Sequence, residues 1–266
     1  MPEPIVVPNP WQALRRYTAA RIALGRSGVS QPSASQLAFQ LAHAQARDAV
    51  HRALDTPRLR EAIADELQLT DIALQSAAES RQVYLQRPDL GRRLHPSSRA
   101  VLQEEGKKHK QGSDLAIVLA DGLSALAIEQ NALPFLRALL PRIAAQGWTL
   151  APLAIVEQGR VAVGDEVGAL LGARAVLVLI GERPGLSSPD SMGLYLTWAP
   201  RVGLTDERRN CISNVRPAGL GHEAAAAKLH YLLAQAFERG LTGIHLKDDP
   251  DADALPAGDA APRFLL

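Results

Sequence analysis

The sequence predicts an α/β chain in which a parallel-sheet domain over residues 113–246 follows a smaller helical domain over 11–112. Three observations carry that expectation. Residues 11 to about 110 show helical spacing and polar faces, with almost no strand signal. From residue 113 onward, short apolar runs alternate with helix-like stretches. Strand–helix–strand order in runs of this length implies parallel strands joined by right-handed crossovers. A length of 266 residues, with 47% apolar and 21% charged residues, suits one large domain or a main domain with a smaller companion.

Taken in order, a Pro-rich lead (residues 1–10) gives way to "QPSASQLAFQLAHAQARDAVHRALD". Its opening has capping-box spacing, with Ser33 placed to accept from the Gln36 backbone N–H and Gln36 to reach back. Leu37, Leu41 and Ala44 then recur at helical intervals. Pro57, Pro88 and Pro96 punctuate the later segments of this half, and one more helix is expected after Pro96. "DLAIVLADG" (114–122) reads as a short buried strand that leads into a helix through Ala145. "WTLAPLAIVEQG" (148–159) is strand-like despite Pro152. "GDEVGALLG" (164–172) is a short helix stopped by Gly172, and "ARAVLVLIG" is again a buried strand. In "SMGLYLTWA", Met192, Leu194, Leu196 and Trp198 alternate with Gly193, Tyr195, Thr197 and Ala199, which is period-two strand chemistry. "NCISNV" is another short strand. The last helix is expected at 222–239, with Ala225, Leu229, Leu232, Leu233, Ala236 and Phe237 on one face and Gly240 as its stop. From residue 247 the composition shifts to Asp, Ala and Pro, with five Asp between 248 and 259, and a flexible acidic tail is expected.

The net charge of +1, from 29 basic and 28 acidic residues, offers no electrostatic reason for a nucleic-acid or membrane partner. The clusters Lys107-Lys108-His109-Lys110 and Arg208-Arg209 read as solvated ends of elements. A single cysteine, Cys211, forbids an intrachain disulfide. No cationic stretch followed by an apolar run opens the chain. No segment approaches the roughly 18 apolar residues of a membrane span. A cytoplasmic protein is expected.

In a parallel sheet, ligands bind beyond the carboxyl ends of the strands. The residues so placed are Asp121-Gly122, Glu157-Gln158-Gly159 and Glu182-Arg183. Glycines there either let the backbone approach a ligand or merely permit a turn, and Glu182 either meets a ligand or pairs with Arg183 and solvent. "GLGHEA" (219–224) has the spacing of a dinucleotide-binding turn, yet only 42 residues come after Ala224, too few for the βαβαβ unit that should continue it. "GLSAL" (122–126) resembles a nucleophile elbow, except that Leu126 stands where the second Gly is required. Ser124 therefore reads as a helix cap. His43 and His51 flank Arg47 and show no metal pattern, so no metal site is expected. Cys211 sits in "RRNCISNV", where Asn210, Ser213 and Asn214 offer uncharged hydrogen-bonding groups suited to a ligand rimmed with amides.

Seven segments, "ARIALGRSG" (20–28), "QLAHAQARDAVH" (40–51), "DLAIVLADGLSALAI" (114–128), "GRVAVGDEVG" (159–168), "LIGERPGL" (179–186), "SMGLYL" and "RNCISNV", stand in an ordered set. Together they resemble the small subunit (light chain) of ethanolamine ammonia-lyase from residue 11 to about 245. The resemblance implies a Rossmann-like α/β domain with a helical N-terminal part. It implies a carbon–nitrogen lyase that converts ethanolamine to acetaldehyde and ammonia by adenosylcobalamin-dependent radical chemistry, active only with a large subunit. That partner would be a TIM-type barrel holding the substrate and the reacting groups, in a hetero-oligomer with several copies of each chain.

The small subunit would contribute no catalytic residue and complete the cobalamin site through Val161, Glu182 and Cys211. Glu182 would accept hydrogen bonds from the cofactor's periphery. The family keeps the cofactor's own base on cobalt, so this chain would ligate no cobalt, in keeping with its lack of a D-x-H-x-x-G segment. Some members carry an N-terminal extension that directs them to a bacterial microcompartment; the Pro-rich lead here is not a convincing amphipathic helix. Two rivals stand beside this reading: a stand-alone nucleotide-binding α/β enzyme, and a purely structural subunit without cofactor contact.

Overall fold

The computed structural model describes residues 5–108 and 112–247. In chain order its elements are α1 (Ser33–His51), α2 (Thr56–Leu67), β1 (Asp71–Gln75), α3 (Arg81–Gln86), α4 (Pro96–Lys108), β2 (Ser113–Ala120), α5 (Ala125–Ala145), β3 (Leu153–Glu157), α6 (Val163–Leu170), β4 (Ala173–Gly181), β5 (Met192–Trp198), β6 (Arg209–Val215) and α7 (His222–Arg239). The strands form one six-stranded sheet in the order β1-β3-β2-β4-β5-β6. The first four run parallel, and β5 and β6 add antiparallel at one edge. The α/β architecture expected from the alternation of elements is the one observed.

The continuous apolar runs of β2 and β4 occupy the middle of this sheet because both of their faces are covered. Successive side chains point to opposite faces. Leu115, Ile117 and Leu119 pack with Leu177 and Leu179 against α2, α5 and α7. Ala116, Val118 and Ala120 pack with Val176 and Val178 against Leu102 of α4 and Val163 and Val167 of α6. Helix α5 keeps its course through Pro134 and Pro141 and buries residues along most of its length. Helix α7 begins and ends where its spacing predicts, and Gly240 closes it in the left-handed conformation at φ +68°.

Five details differ from expectation, each for a physical reason. Residues 71–75 form β1, which pairs with β3, so the sheet runs across the expected division at residue 112. This edge strand is short and polar at both ends, and a five-residue run leaves little periodicity to read. In α1 the N-cap is Pro32 and no side chain caps the helix; the Ser35 and Gln36 N–H groups donate to the Pro32 carbonyl instead. The same helix buries Ala42, Ala46 and Ala49, whereas Leu37 and Leu41 stay 64% and 61% exposed. Strand β3 starts only after Pro152, which lacks the N–H a ladder needs. Arg209, expected to be solvated, is buried. Residues 1–4 of the lead, His109 and Lys110 of the basic cluster, and 248–266 of the acidic tail lie outside the described residues.

Two buried ion pairs hold this framework. Arg209 at the start of β6 grips Asp165 of α6 through Nη1–Oδ1 at 2.7 Å and Nη2–Oδ2 at 2.8 Å. It also donates to the Thr197 hydroxyl, the Leu204 carbonyl and Asp206. Burial pushes the Asp165 carboxyl up, and Arg209 opposes that push. The second pair lies at the end of β2, where Asp121 is wholly buried. Its Oδ1 accepts from the Gly159 N–H at 3.1 Å and its Oδ2 from Arg81 Nη1 at 3.2 Å. Arg81 also donates to the carbonyls of Gly122 and Val50, each at 2.7 Å. Burial pushes the Asp121 carboxyl up to about 6, with Arg81 opposing.

Arg209→Met should cost about 3–5 kcal/mol in urea unfolding, because Asp165 is left charged and buried. Adding Asp165→Leu should recover much of that loss, and a single-variant loss under about 1 kcal/mol would contradict the assignment. Asp121 gives a pH dependence. Its folded value of about 6 lies above the ordinary value of 3.8, so the fold binds the extra proton between these limits. The contribution is complete below about pH 4 and is lost as pH rises through about 6. Relative to Asp121→Asn, the wild type should lose up to about 3 kcal/mol of unfolding free energy from pH 4 to pH 7. Parallel stability curves for the two proteins would rule this out.

Candidate functional site

The chain leaves β2 through α5 toward β3 on one side and leaves β4 toward β5 on the other. Their carboxyl ends therefore flank a crevice where the chain directions diverge, the place where open α/β sheets bind ligands. Gly122 and Gly181 form its floor. Gly122 sits at φ +56°, and a Cβ there would lie 2.2 Å from the Gly181 carbonyl oxygen. One on Gly181 would lie 2.0 Å from the Ser124 carbonyl oxygen. The room these glycines leave is filled by the chain's own backbone, so they serve the turn and not a ligand. Ser124 is the N-cap of α5: its buried hydroxyl accepts from the Ala127 N–H and donates to the Pro189 carbonyl at 2.6 Å. That hydroxyl has its proton committed to a carbonyl and serves as a helix cap.

Above this floor lies an open cleft of about 370 Å³, lined among others by Tyr84, Leu123, Arg160, Val161, Glu182, Arg183 and Tyr195. Two of the three contacts implied by resemblance, Val161 and Glu182, thus share one cleft. Cys211 does not line it. It lies on β6 directly opposite Tyr195 of β5, one strand away.

The Glu182 carboxylate is braced by its own chain. Oε1 accepts from the Ser213 hydroxyl at 2.6 Å, while Oε2 accepts from the Ser191 hydroxyl and the Asn214 N–H. A carboxylate offers about four acceptor positions, so one on Oε1 remains. Glu182 forms no ion pair with Arg183. Cys211 is exposed, yet the strand around it desolvates its thiol and pushes it up; the Tyr195 hydroxyl opposes this and the Glu182 carboxylate adds to it. At neutral pH Cys211 is a thiol and a weak donor, not a thiolate nucleophile. Burial also raises the Tyr195 phenol, with Cys211 and Glu182 contributing.

The inner wall was missed by sequence reasoning. Tyr84 of α3 is fully buried and donates to the Gly159 carbonyl at 3.2 Å. Arg160 and Arg81 lie over its ring, at 4.4 and 4.9 Å from the centroid. Arg160 Nε and Arg81 Nη2 are buried without a hydrogen-bond partner. Arg160 directly precedes Val161, so its position was available as a signal. Tyr84 and Arg81 come from a segment more than 70 residues away, and no local pattern announces them. In the dinucleotide-like stretch, the space above Gly219 is occupied by Asn214, whose carbonyl oxygen would lie 2.4 Å from an added Cβ. Among the described residues, no group of three or more His, Cys, Asp or Glu could hold a metal ion. No helix among them is long and apolar enough to cross a membrane.

Comparison with known proteins places this cleft in context. The family model of the ethanolamine ammonia-lyase light chain matches residues 8–247. The ethanolamine ammonia-lyase small subunit of Azotobacter vinelandii is 58% identical over 259 residues, covering 97% of this chain and 96% of the relative. That of Ralstonia nicotianae is 58% identical over 261 residues, covering 98% and 96%. That of Pseudomonas syringae pv. tomato is 56% identical over 253 residues, covering 95% and 88%. With a family model matched from residue 8 to 247 and relatives of this identity along nearly their whole length, the chain belongs to the ethanolamine ammonia-lyase small-subunit family.

Proposed function

We propose that this chain is the cobalamin-contacting small subunit of an adenosylcobalamin-dependent ethanolamine ammonia-lyase, which converts ethanolamine to acetaldehyde and ammonia. The observation that carries the reading is the meeting of Val161 and Glu182 in one cleft outside β2 and β4, in a chain of this family. Cys211 stands beside that cleft, behind Tyr195.

The residues present fit the edge of such a cofactor. A cleft of about 370 Å³ is far too small for a whole corrinoid and is open to solvent, so a partner surface must enclose the rest. The cofactor's rim is made of amides, which need both donors and acceptors. Arg160 and Arg183 supply donors, and the free position on Glu182 Oε1 supplies an acceptor. The orphaned Arg160 Nε is a buried polar atom awaiting a partner.

When bound, adenosylcobalamin supplies the radical chemistry through cobalt–carbon homolysis. This chain's part is to hold the cofactor's rim, orient it and help keep water from the reacting centre. Substrate and reacting groups belong to the large subunit, a TIM-type barrel, in an assembly with several copies of each chain. The cofactor keeps its own base on cobalt, and no side chain of this subunit serves as a cobalt ligand. The assembly works in the cytoplasm, or within a bacterial microcompartment.

The rival nucleotide-binding enzyme loses its turn to Asn214, and in the described sheet no strand follows α7. A purely structural subunit leaves the unpaired guanidinium groups of the cleft without a role.

Acetaldehyde formation from ethanolamine with adenosylcobalamin should occur with this chain and its large subunit together, and with neither alone. Inactivity of a demonstrably assembled mixture would overturn the assignment. In that mixture Glu182→Ala should raise the apparent cofactor Kd about tenfold, since loss of one charged hydrogen-bonding group costs about 1.5–3 kcal/mol, with kcat at saturating cofactor little changed. An unchanged Kd would favour the scaffolding rival.

A further inference from the structure

Resting on the cobalamin reading, we infer that Arg160, assisted by Arg183, seats the phosphodiester of the cofactor's nucleotide loop. Cobalamin's side chains are neutral amides; its nucleotide loop carries one anionic group, the phosphodiester. The cleft is matched to such an ion by what its cations lack. Arg81 is engaged by Asp121, Arg209 by Asp165, and Arg216 by Asp190 and Asn214. Arg160 and Arg183 line the cleft, and among the described residues neither meets a carboxylate. The one carboxylate that lines the cleft beside them, Glu182, accepts from Ser191, Ser213 and the Asn214 N–H and pairs with neither arginine.

Arg160 is also held ready. Its N–H donates to the Gly91 carbonyl at 2.7 Å, and a Cβ on Gly91 would lie 2.9 Å from Arg160 Cγ, so the stem lies flush against that glycine. The Tyr84 ring supports the guanidinium face at 4.4 Å. A planar fork fixed in this way pairs two-pronged with phosphate oxygens. The N–H groups at the start of α6 do not compete for the role. The N–H groups of Val163, Gly164 and Asp165, at the start of α6, are taken by the carbonyls of Arg160, Val161 and Ala162. The chain leaving β4 enters a loop and then a strand, so no helix N-terminus comes after it to receive an anion.

The test uses the assembled enzyme and spectroscopic titration with three corrinoids: cobalamin, cobinamide phosphate and cobinamide, which lacks the phosphate altogether. Arg160→Ala should weaken cobalamin and cobinamide phosphate by about tenfold to a hundredfold and leave cobinamide unchanged. Arg160→Lys, which keeps the charge but not the fork, should lose less. In the wild type, added salt should weaken cobalamin more than cobinamide, a measurement independent of any variant. An equal loss for all three corrinoids, or no loss for any, overturns the inference and leaves cofactor binding standing. A wild-type assembly that takes up none of the three overturns the cobalamin reading itself.

Discussion

Asp121 has no exposed surface, and a carboxylate cut off from water must find its hydrogen bonds within the chain. It finds them in two distant places. One oxygen draws in the Gly159 N–H from the turn after β3; the other draws in Arg81, which in turn clasps the Val50 carbonyl at the end of α1 and the Gly122 carbonyl at the exit of β2. A single buried charge thereby pins the exits of two strands and the packing of α3. The segment directly after Gly159 is Arg160-Val161. The position of the cleft's inner wall is thus a consequence of satisfying Asp121.

The outer wall obeys a different rule. There the charge is Glu182, and its partners are uncharged: two serine hydroxyls and a backbone amide gathered from β6 and the loop before β5. The inner wall has cations in excess and the outer wall an anion already answered. A rim of that kind is polar without being strongly charged, which suits a large ligand that is itself mostly amide. Farther out, the Arg209–Asp165 pair fastens β6, the strand that carries Cys211, Ser213 and Asn214, to α6.

What could be read from the sequence was local. Continuous apolar runs marked β2 and β4, period-two alternation marked β5, and the apolar stripe with its terminal glycine marked α7 to the residue. Val161 and Glu182 came from the ordered resemblance, and the geometry of the sheet brings them to one cleft. What escaped was every feature defined by a distant partner. Arg209 reads as solvated until Asp165 is folded against it, and β1 reads as loop until β3 lies beside it. Tyr84 has no meaning on its own helix and acquires one only when two arginines stack on it. The misread face of α1 belongs to the same class: alanines, not leucines, are the residues small enough for its packing.

The late pairing of β1 also sets a clock. Asp71 lies opposite Leu153, some eighty residues later in the chain, which at about 5–20 residues per second is roughly 4–16 s of synthesis. During that interval β1 has been made and its partner has not. Until β3 arrives, Leu74 lacks the strand residues of its core cluster, Ala154 and Val156. A nascent chain that ends before residue 153 therefore carries β1 without the strand it pairs with.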